Sequence, residues 1–249
     1  MKSLNTSLIV AHIAASAMLL GAQARPLVEY ASGVQPQNGA NGAANPTSQG
    51  WTASGFSNIW ADGFDSGNGG WRTVDGTSGS SANYRHVLST DDRTAMSTDG
   101  WTLTATLALD ANATNSAGDV VVNYYAPPNH TRQNNMQVIV EVAGQYQYFL
   151  TFNIDANSDL YLNDGTTNHT ITTDGSAYDN FKSLQLDYSN TGAILRINGL
   201  SLAVTSNGLG SQNRVVFGAS SASGQGSAIW NNVTLESFTL SPGTVLILD

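Results

Sequence analysis

The sequence of 249 residues contains no cysteine and few charged side chains. The absence of cysteine excludes disulfides, zinc–thiolate sites and cysteine nucleophiles, so the fold depends on a large hydrophobic core. Charged residues make up 11% of the chain, less than half of the roughly 25% found in an average soluble domain. With two Lys and three Glu, the chain lacks the residues that usually cover exposed helix faces. Its abundant Thr, Asn, Ser and Gly instead favour strands and turns, which predicts an all-β protein.

Basic side chains are half as numerous as acidic ones, nine against eighteen, which gives a formal net charge of −9. The chain has no cluster of Lys and Arg and no basic amphipathic helix that could neutralise phosphates. We therefore expect no nucleic acid among its partners. The acidity itself is consistent with simple solubility.

The first 24 residues have the pattern of a secretory signal peptide. Lys2 provides the positive n-region, residues 8–22 are a mostly apolar stretch that contains one histidine, His12, and Ala22-Gln23-Ala24 has the small-x-small pattern of a cleavage site. The apolar stretch is shorter than the ~20 residues that a membrane-spanning helix needs. We predict cleavage after Ala24 and a secreted, extracellular protein that is not transmembrane.

Residues 25–44 are predicted to form a flexible leader before a single domain at 45–249. Residues 31–50 contain one aliphatic side chain larger than alanine, Val34, which is too little to hold a core. Deletion of residues 25–44 is therefore expected to leave the melting temperature nearly unchanged. The alternation in residues 26–30, with the sequence PLVEY, leaves open that this segment adds a strand.

From Trp51 onward, apolar and polar residues alternate with a period of two. In residues 101–109, with the sequence WTLTATLAL, the apolar residues share one face and the threonines share the other. Further runs predicted as strands are 119–125, 136–143, 146–154, 160–163, 169–173, 183–189, 193–204, 214–220 and 228–240. Short turns separate them, and the one helical candidate is at 90–96, with Ser89 or Thr90 as its cap. The pattern predicts a two-sheet antiparallel β-sandwich of the jelly-roll type, in which 101–109, 136–143 and 146–154 are antiparallel neighbours.

Two ordered sets of residues resemble concanavalin A-like (laminin G-like) jelly-roll domains. The opening set is Asn45-Pro46, Gln49-Gly50-Trp51, Gly70-Trp71-Arg72, Tyr84, Leu88-Ser89 and Gly100-Trp101-Thr102-Leu103, and the closing set is residues 226–233. Secreted bacterial proteins and the accessory domains of sialidases have similar openings. The resemblance covers roughly residues 45–240 and implies a secreted module whose concave sheet or rim loops bind glycans. It also implies calcium as a cofactor to consider, since some relatives bind it.

Glycoside hydrolysis on this fold generally requires two carboxylates that face each other across the scissile bond. Glu141 is the only glutamate inside a central predicted strand, and the closely spaced Glu-x-Asp-x-Glu of the family's glucanases is missing around it. We interpret Glu141 as a solvent-facing strand residue and a candidate for ligand binding. No catalytic residue is predicted, although an enzymatic function stays open.

Calcium has one candidate site, at Asp155, Asn157 and Asp159. These residues place three oxygen ligands at alternate positions, the opening spacing of many calcium loops. Leu160 and Thr166 occupy the places where an EF-hand has its glycine and its bidentate glutamate. Residues 155–159 also suit an ordinary hairpin turn, and we favour that interpretation.

Sugar binding requires an exposed aromatic ring together with hydrogen-bonding side chains. The best loop for this purpose is at 123–132, where two prolines stiffen a segment that contains Tyr124, Tyr125, Asn129 and Arg132. An ordinary connection between strands is the alternative for this loop. Trp71 is added as an exposed ring.

Trp51 and Trp101 are assigned to the core, because the resemblance places each of them at the start of a strand, in a structural position of the family. Together these features predict a secreted, non-catalytic carbohydrate-binding module. A structural or adhesive protein associated with a cell surface is the first alternative, and a glycan-cleaving enzyme on the same fold is the second.

Overall fold

Fifteen strands and one α-helix account for most of the residues that the computed structural model describes, which are 22–32, 45–55, 63–65, 67–75, 81–109, 136–154, 159–173, 181–219 and 226–240. The strands are β1 (Ala22–Ala31), β2 (Thr52–Ser54), β3 (Gly63–Asp65), β4 (Gly70–Asp75), β5 (Ala82–Val87), β6 (Trp101–Leu109), β7 (Met136–Val142), β8 (Tyr146–Ile154), β9 (Leu160–Asn163), β10 (Asn168–Thr172), β11 (Lys182–Ser189), β12 (Gly192–Ile197), β13 (Leu200–Val204), β14 (Arg214–Ala219) and β15 (Gly226–Leu240). The helix is α1 (Thr90–Asp99), and a 3-10 helix spans Pro46–Gln49.

The strands form two sheets with antiparallel pairing, which confirms the predicted two-sheet β-sandwich. The eight-stranded sheet has the order β13-β12-β11-β6-β15-β4-β3, and β1 pairs with the second part of β15. The seven-stranded sheet has the order β10-β9-β8-β7-β14-β5-β2. Both the first and the last strand of the described chain thus belong to the eight-stranded sheet.

The core lies between the two sheets. It consists of the inward-facing side chains, which alternate with outward-facing ones along each strand. On β6, Trp101, Leu103 and Leu107 are at most 1% exposed, whereas the threonines between them are partly exposed. Trp51 and Trp101 lie in this core, as predicted, at 3% and 0% exposure. The predicted strand 193–204 is divided into β12 and β13 by a tight turn at Asn198 and Gly199, both with positive φ. The predicted strand 119–125 lies outside the described residues.

Helix α1 is confirmed and runs three residues beyond its predicted end. Ser89 is the N-cap, and its hydroxyl accepts a hydrogen bond from the backbone N–H of Asp92 at 3.1 Å. The Asp92 carboxylate accepts in return from the backbone N–H of Ser89 at 2.9 Å, which completes a capping box. In the part of the chain that the structure describes, no helix combines the length and the apolar character needed to cross a bilayer.

One predicted neighbour relation is wrong. Strands β7 and β8 do pair, but β6 lies in the opposite sheet between β11 and β15. The chain changes sheets between Leu109 and Met136, so β6 faces β8 across the core instead of pairing with it. Trp101 of β6 accordingly contacts Tyr146 of β8 through the core, with ring centroids 5.9 Å apart.

The N-terminal strand β1 corrects the prediction of a flexible leader at 25–44. It pairs with β15 from Ala22 opposite Leu240 to Ala31 opposite Asn232, and Tyr30 is fully buried. The side-chain amide of Gln49 also binds both the N–H and the C=O of Ala31, each at 3.0 Å. Residues 25–31 are therefore part of the sandwich. Residues 1–21 and 33–44 lie outside the described residues, and cleavage after Ala24 stays a prediction.

Candidate functional site

Trp71 does not offer a ring for sugar stacking, which corrects its assignment to the binding site. The side chain lies on β4 at 2% exposure, and its indole N–H donates to the hydroxyl of Tyr84 at 3.0 Å. Trp230 is likewise buried, and its indole N–H donates to the hydroxyl of Thr73 at 2.8 Å. Each indole satisfies its one donor inside the core, so these rings stabilise the sandwich.

Glu141 is buried at 1% exposure and anchors the loop that precedes β14, so it is neither solvent-facing nor available to a ligand. One carboxylate oxygen accepts hydrogen bonds from the backbone and hydroxyl of Ser211, at 2.7 and 2.9 Å, and from the backbone of Gln212 at 3.0 Å. The other accepts from Nε of Arg214 at 2.8 Å. Burial alone would raise the pKa of Glu141, but these hydrogen bonds outweigh it and hold the pKa below its usual range. A carboxylate that stays ionised and fully bonded suits a structural role.

Asp164 has a similar role in the hairpin that joins β9 and β10. Its carboxylate accepts hydrogen bonds from the backbone N–H groups of Thr166 and Thr167 and lies 3.0 Å from Nε2 of His169. Burial would raise the pKa of Asp164, yet the hydrogen bonds from His169 and the two threonines lower it to about 2. The amide of Asn207 donates to the backbone carbonyl of Asp164 at 2.8 Å, so the hairpin is also tied to the loop after β13.

The remaining predicted site residues are not brought together by the described structure. Tyr124, Tyr125, Asn129 and Arg132 lie outside the described residues, as do Asp155 and Asn157 of the calcium candidate. Asp159 precedes β9 and is partly buried. In the described part of the chain, no three His, Asp or Glu side chains are grouped as metal ligands. The loop and the calcium site stay predictions.

A row of polar residues, interrupted by one glycine, crosses the outer face of the seven-stranded sheet. The strand register places one residue from each strand in line, and we call this set the polar row: Ser54, Asn83, Gly218, Gln137, Thr151, Asn163 and Asn168. Their neighbours along each strand, such as Val138 and Leu150, point into the core, so the polar row faces outward. With strands roughly 4.8 Å apart, six intervals give the row a length of roughly 29 Å.

Hydrogen bonds between neighbours hold the amides of the polar row in place. The amide of Gln137 donates to the hydroxyl of Thr151 at 2.8 Å, and that of Asn163 donates to the amide oxygen of Asn168 at 2.7 Å. Each of these bonds uses part of an amide's capacity and leaves further donors or acceptors for a ligand. Preoriented amides bind hydroxyl groups at a lower entropic cost than mobile ones.

Gly218 leaves a gap in the middle of the polar row. Its φ is +115°, and a Cβ atom there would lie 2.6 Å from the carbonyl oxygen of Ala82, so a larger residue is excluded. The row therefore has no side chain between Asn83 and Gln137. Gly218 is itself buried, as are Asn83 at 8% and the outward residues Val216 and Ile139 beside it, so the accessible part of the row runs from Gln137 to Asn168.

Two further rows flank the polar row. Asn153, Tyr161 and Thr170 form one of them, and Thr52, Arg85, Val216, Ile139 and Phe149 form the other. Tyr161 and Phe149 are partly exposed rings, and Arg85 supplies the one charge in all three rows. These three rows contain no carboxylate and no histidine, so they offer hydrogen bonds and ring contacts but no pair for acid–base catalysis.

The polar row was not predicted from the sequence. Gln137, Thr151 and Asn163 each look like an ordinary outward residue of an amphipathic strand. The alternation does identify them as outward, but their alignment depends on the register between strands that are far apart in the chain.

Comparisons with known proteins bear on the fold. No family model matches the chain, and no curated protein matches it. Among solved structures, a carbohydrate esterase of the Shiga toxin-encoding bacteriophage phi24B is similar at 13% identity, with 87% of this chain and 100% of that chain covered and a TM-score of 0.57. A protein named sialidase matches at 10% identity and a TM-score of 0.48, over 87% of this chain but 18% of its own. The carbohydrate-binding module CBM66 of Bacillus subtilis matches at 14% identity and a TM-score of 0.39, over 76% and 96% of the two chains. At these identities, the phage protein shows a shared fold and nothing finer.

Proposed function

We propose that this protein is a secreted, non-catalytic module that binds glycans along the polar row. The observation that carries the proposal is the composition of the accessible part of that row, where Gln137, Thr151, Asn163 and Asn168 present amides and hydroxyls over roughly 14 Å without a titratable group. Sugar hydroxyls are recognised by such groups, and the partly exposed ring of Tyr161 supplies an apolar surface beside them. The length suits several consecutive units of a polysaccharide.

The state of the carboxylates supports binding over catalysis. Glu141 is committed to Ser211, Gln212 and Arg214, and Asp164 is committed to its own hairpin and His169. Neither can exchange a proton with a substrate without breaking the contacts that hold a loop. The fold shared with the phage protein, whose name describes a carbohydrate esterase, is a further reason to choose a carbohydrate as the ligand.

The loop at 123–132 and the export signal complete the proposal. Tyr124, Tyr125, Asn129 and Arg132 of this loop are proposed as further residues that bind the glycan. Calcium at Asp155, Asn157 and Asp159 is proposed as an optional ligand. Secretion after cleavage at Ala24 would bring the module to extracellular or cell-surface glycans.

A glycan array with the full chain, with and without calcium, tests the function. The double variant Gln137→Ala with Asn168→Ala removes two amides from the polar row. Each lost hydrogen bond costs about 0.5–1.5 kcal/mol, so the affinity for a hit should fall roughly tenfold or more. Gln145→Ala with Asn68→Ala removes the same chemistry from exposed turns outside the three rows and should leave the affinity unchanged.

Two results would contradict the proposal. Equal effects of the two double variants would show that the polar row does not bind the glycan. Release of new reducing ends, unsaturated products or acyl groups from the hits would show an enzyme instead of a binding module.

A further inference from the structure

A cavity of about 250 Å³ lies on the outer face of the eight-stranded sheet, on the opposite side of the sandwich from the polar row. It opens where α1 ends and β6 begins, beside the turn between β11 and β12 and close to the end of β15. We call it the rim pocket, and its lining includes Asp99, Ser189, Thr191, Ile194 and Phe238.

Two glycines explain why a cavity forms at this place. The backbone N–H of Phe238 donates to the carbonyl of Gly100 at 3.4 Å, and Ser189 pairs with Gly192. Phe238, Gly100, Ser189 and Gly192 therefore lie in line across the outer face of the sheet. Of the last three, only Ser189 has a side chain, and it is small. A Cβ atom at Gly100, where φ is +80°, would lie 2.6 Å from the carbonyl oxygen of Tyr188, so this gap cannot be filled by a larger residue.

The lining of the rim pocket combines apolar side chains with hydroxyl groups. Phe238 and Ile194 are 38% and 42% exposed, so both present apolar surface to the pocket. The hydroxyls of Ser189 and Thr191 lie 2.8 Å apart on the turn between β11 and β12. An aromatic face beside hydroxyls is what a pyranose ring requires for stacking and hydrogen bonding.

The charge of the rim pocket selects against acidic sugars. Asp187 is paired with Arg196, but among the described residues Asp99 has no hydrogen-bonding or ion-pair partner. Asp99 is also the last residue of α1, where the helix dipole disfavours a negative charge, and this last turn has no basic residue to offset it. A residue that breaks a local stability rule without compensation is a candidate for a binding role. Its carboxylate can accept hydrogen bonds from sugar hydroxyls and repels a second carboxylate.

We propose that the rim pocket is a second binding site, which takes a single neutral pyranose ring. The volume of about 250 Å³ lies below the roughly 300–1,000 Å³ of pockets for drug-sized ligands, so it suits one ring and not a chain. Phe238 stacks on the ring, and Asp99, Ser189 and Thr191 bind its hydroxyls. Because the polar row lies on the opposite face, one protein can hold one glycan along the polar row and a single ring of a separate glycan in the rim pocket. The choice of a sugar as ligand rests on the proposed function.

Titration of the isotopically labelled full chain with methyl glycosides of neutral hexoses tests this site by NMR. The amide signals of Gly100 and Gly192 report on the rim pocket, and that of Gly218 reports on the polar row. We expect the first two to shift with a dissociation constant in the roughly millimolar range, as for other ligands of this size. A methyl glycoside of a uronic acid should bind about fivefold more weakly, because its carboxylate meets Asp99.

Three variants separate the contributions of the pocket. Phe238→Ala should weaken neutral-sugar binding roughly tenfold. Leu200→Ala removes an apolar residue of the same sheet with the same exposure, 38%, and should have no effect. Asp99→Asn should raise the affinity for the uronide close to the affinity for the neutral sugar. The variant should keep the fold, since the substitution removes a charge that opposes the helix dipole.

The outcomes distinguish this site from the polar row. If no neutral sugar shifts Gly100 and Gly192, or if Phe238→Ala and Leu200→Ala have equal effects, the rim pocket is not a sugar site, whereas binding at Gly218 would leave the proposed function intact. If Gly100 and Gly192 shift while the array hits are insensitive to the variants of Gln137 and Asn168, the rim pocket stands and the polar row does not. If Asp99→Asn still prefers the neutral glycoside over the uronide to the same extent, Asp99 does not select against acidic sugars.

Discussion

Replacement of Glu141 by glutamine tests whether this buried carboxylate holds the loop before β14. Glutamine keeps the shape and can still accept the three hydrogen bonds from Ser211 and Gln212. In the present protein, Nε of Arg214 donates to the carboxylate at 2.8 Å. In the variant, the NH2 group of glutamine takes the place of that oxygen, so two donors face each other. The variant therefore loses one charged hydrogen bond and leaves a cation without its partner.

The expected cost follows from the burial of the pair. Removal of one partner of a buried ion pair costs about 3–5 kcal/mol. The side chain of Arg214 is 24% exposed, so water replaces part of the lost contact, and we expect about 2–4 kcal/mol. For a domain of this size the melting temperature should fall by roughly 5–15 °C.

Thermal unfolding followed by circular dichroism measures the effect, with Glu236→Gln as the matched control. Glu236 is an outward residue of β15 that is partly exposed, so the same chemical change there should alter stability by less than about 0.5 kcal/mol. A double-mutant cycle with Arg214→Gln should give a coupling energy of at least about 1 kcal/mol. If Glu141→Gln melts at the same temperature as Glu236→Gln, Glu141 does not hold the loop before β14.

Two further predictions concern β1 and the pH dependence of stability. Tyr30→Ala should destabilise the protein by about 3–5 kcal/mol in denaturant unfolding, because the buried ring stacks on Phe217 at 5.1 Å, and a loss below about 1 kcal/mol would mean that β1 is dispensable. Hydrogen bonds lower the pKa of Asp164 in the folded protein to about 2 from its usual 3.8, so its contribution of about 2 kcal/mol to stability is complete above pH ~4 and is lost as the pH falls toward 2. Asp164→Asn should therefore flatten the stability profile between pH ~4 and ~2, and an unchanged slope would contradict the assignment.

The two proposed sites give the module a specific geometry. The polar row and the rim pocket lie on opposite outer faces of sheets that pack roughly 10 Å apart, so one short glycan cannot reach both. A protein of this kind would join separate glycan chains and gain avidity on a surface that displays many of them. Mixing the protein with a multivalent hit from the array should then give cross-linked particles, and Phe238→Ala should remove the cross-linking while single-chain binding remains.

Local patterns in the sequence were sufficient to locate most strands and the helix. The alternation in residues 101–109 and 146–154 gave the correct bounds of β6 and β8, since the side-chain period of a strand is a property of the backbone itself. Ser89 and Asp92 were sufficient to place the start of α1 for the same reason, because a cap needs only neighbouring residues.

The leader was mispredicted because its order depends on distant residues. Val28 and Tyr30 alternate as in a strand, yet a short strand without a partner is not stable in water. Its partner β15 lies about two hundred positions later, and Gln49 closes the end of the pair by binding Ala31. Burial of Trp71 and Glu141 has the same cause, since Tyr84 and the loop at 211–214 cover them from elsewhere in the chain.

The candidate sites depend entirely on the tertiary structure. The sequence determined that Gln137, Thr151 and Asn163 face away from the core. Only the register of β7, β8 and β9 placed them side by side, and a shift of one residue in that register would have turned each of them inward. Register is fixed by the packing of the whole core and not by any local preference, so the residues of a binding face can be identified one by one from the sequence, but their arrangement cannot.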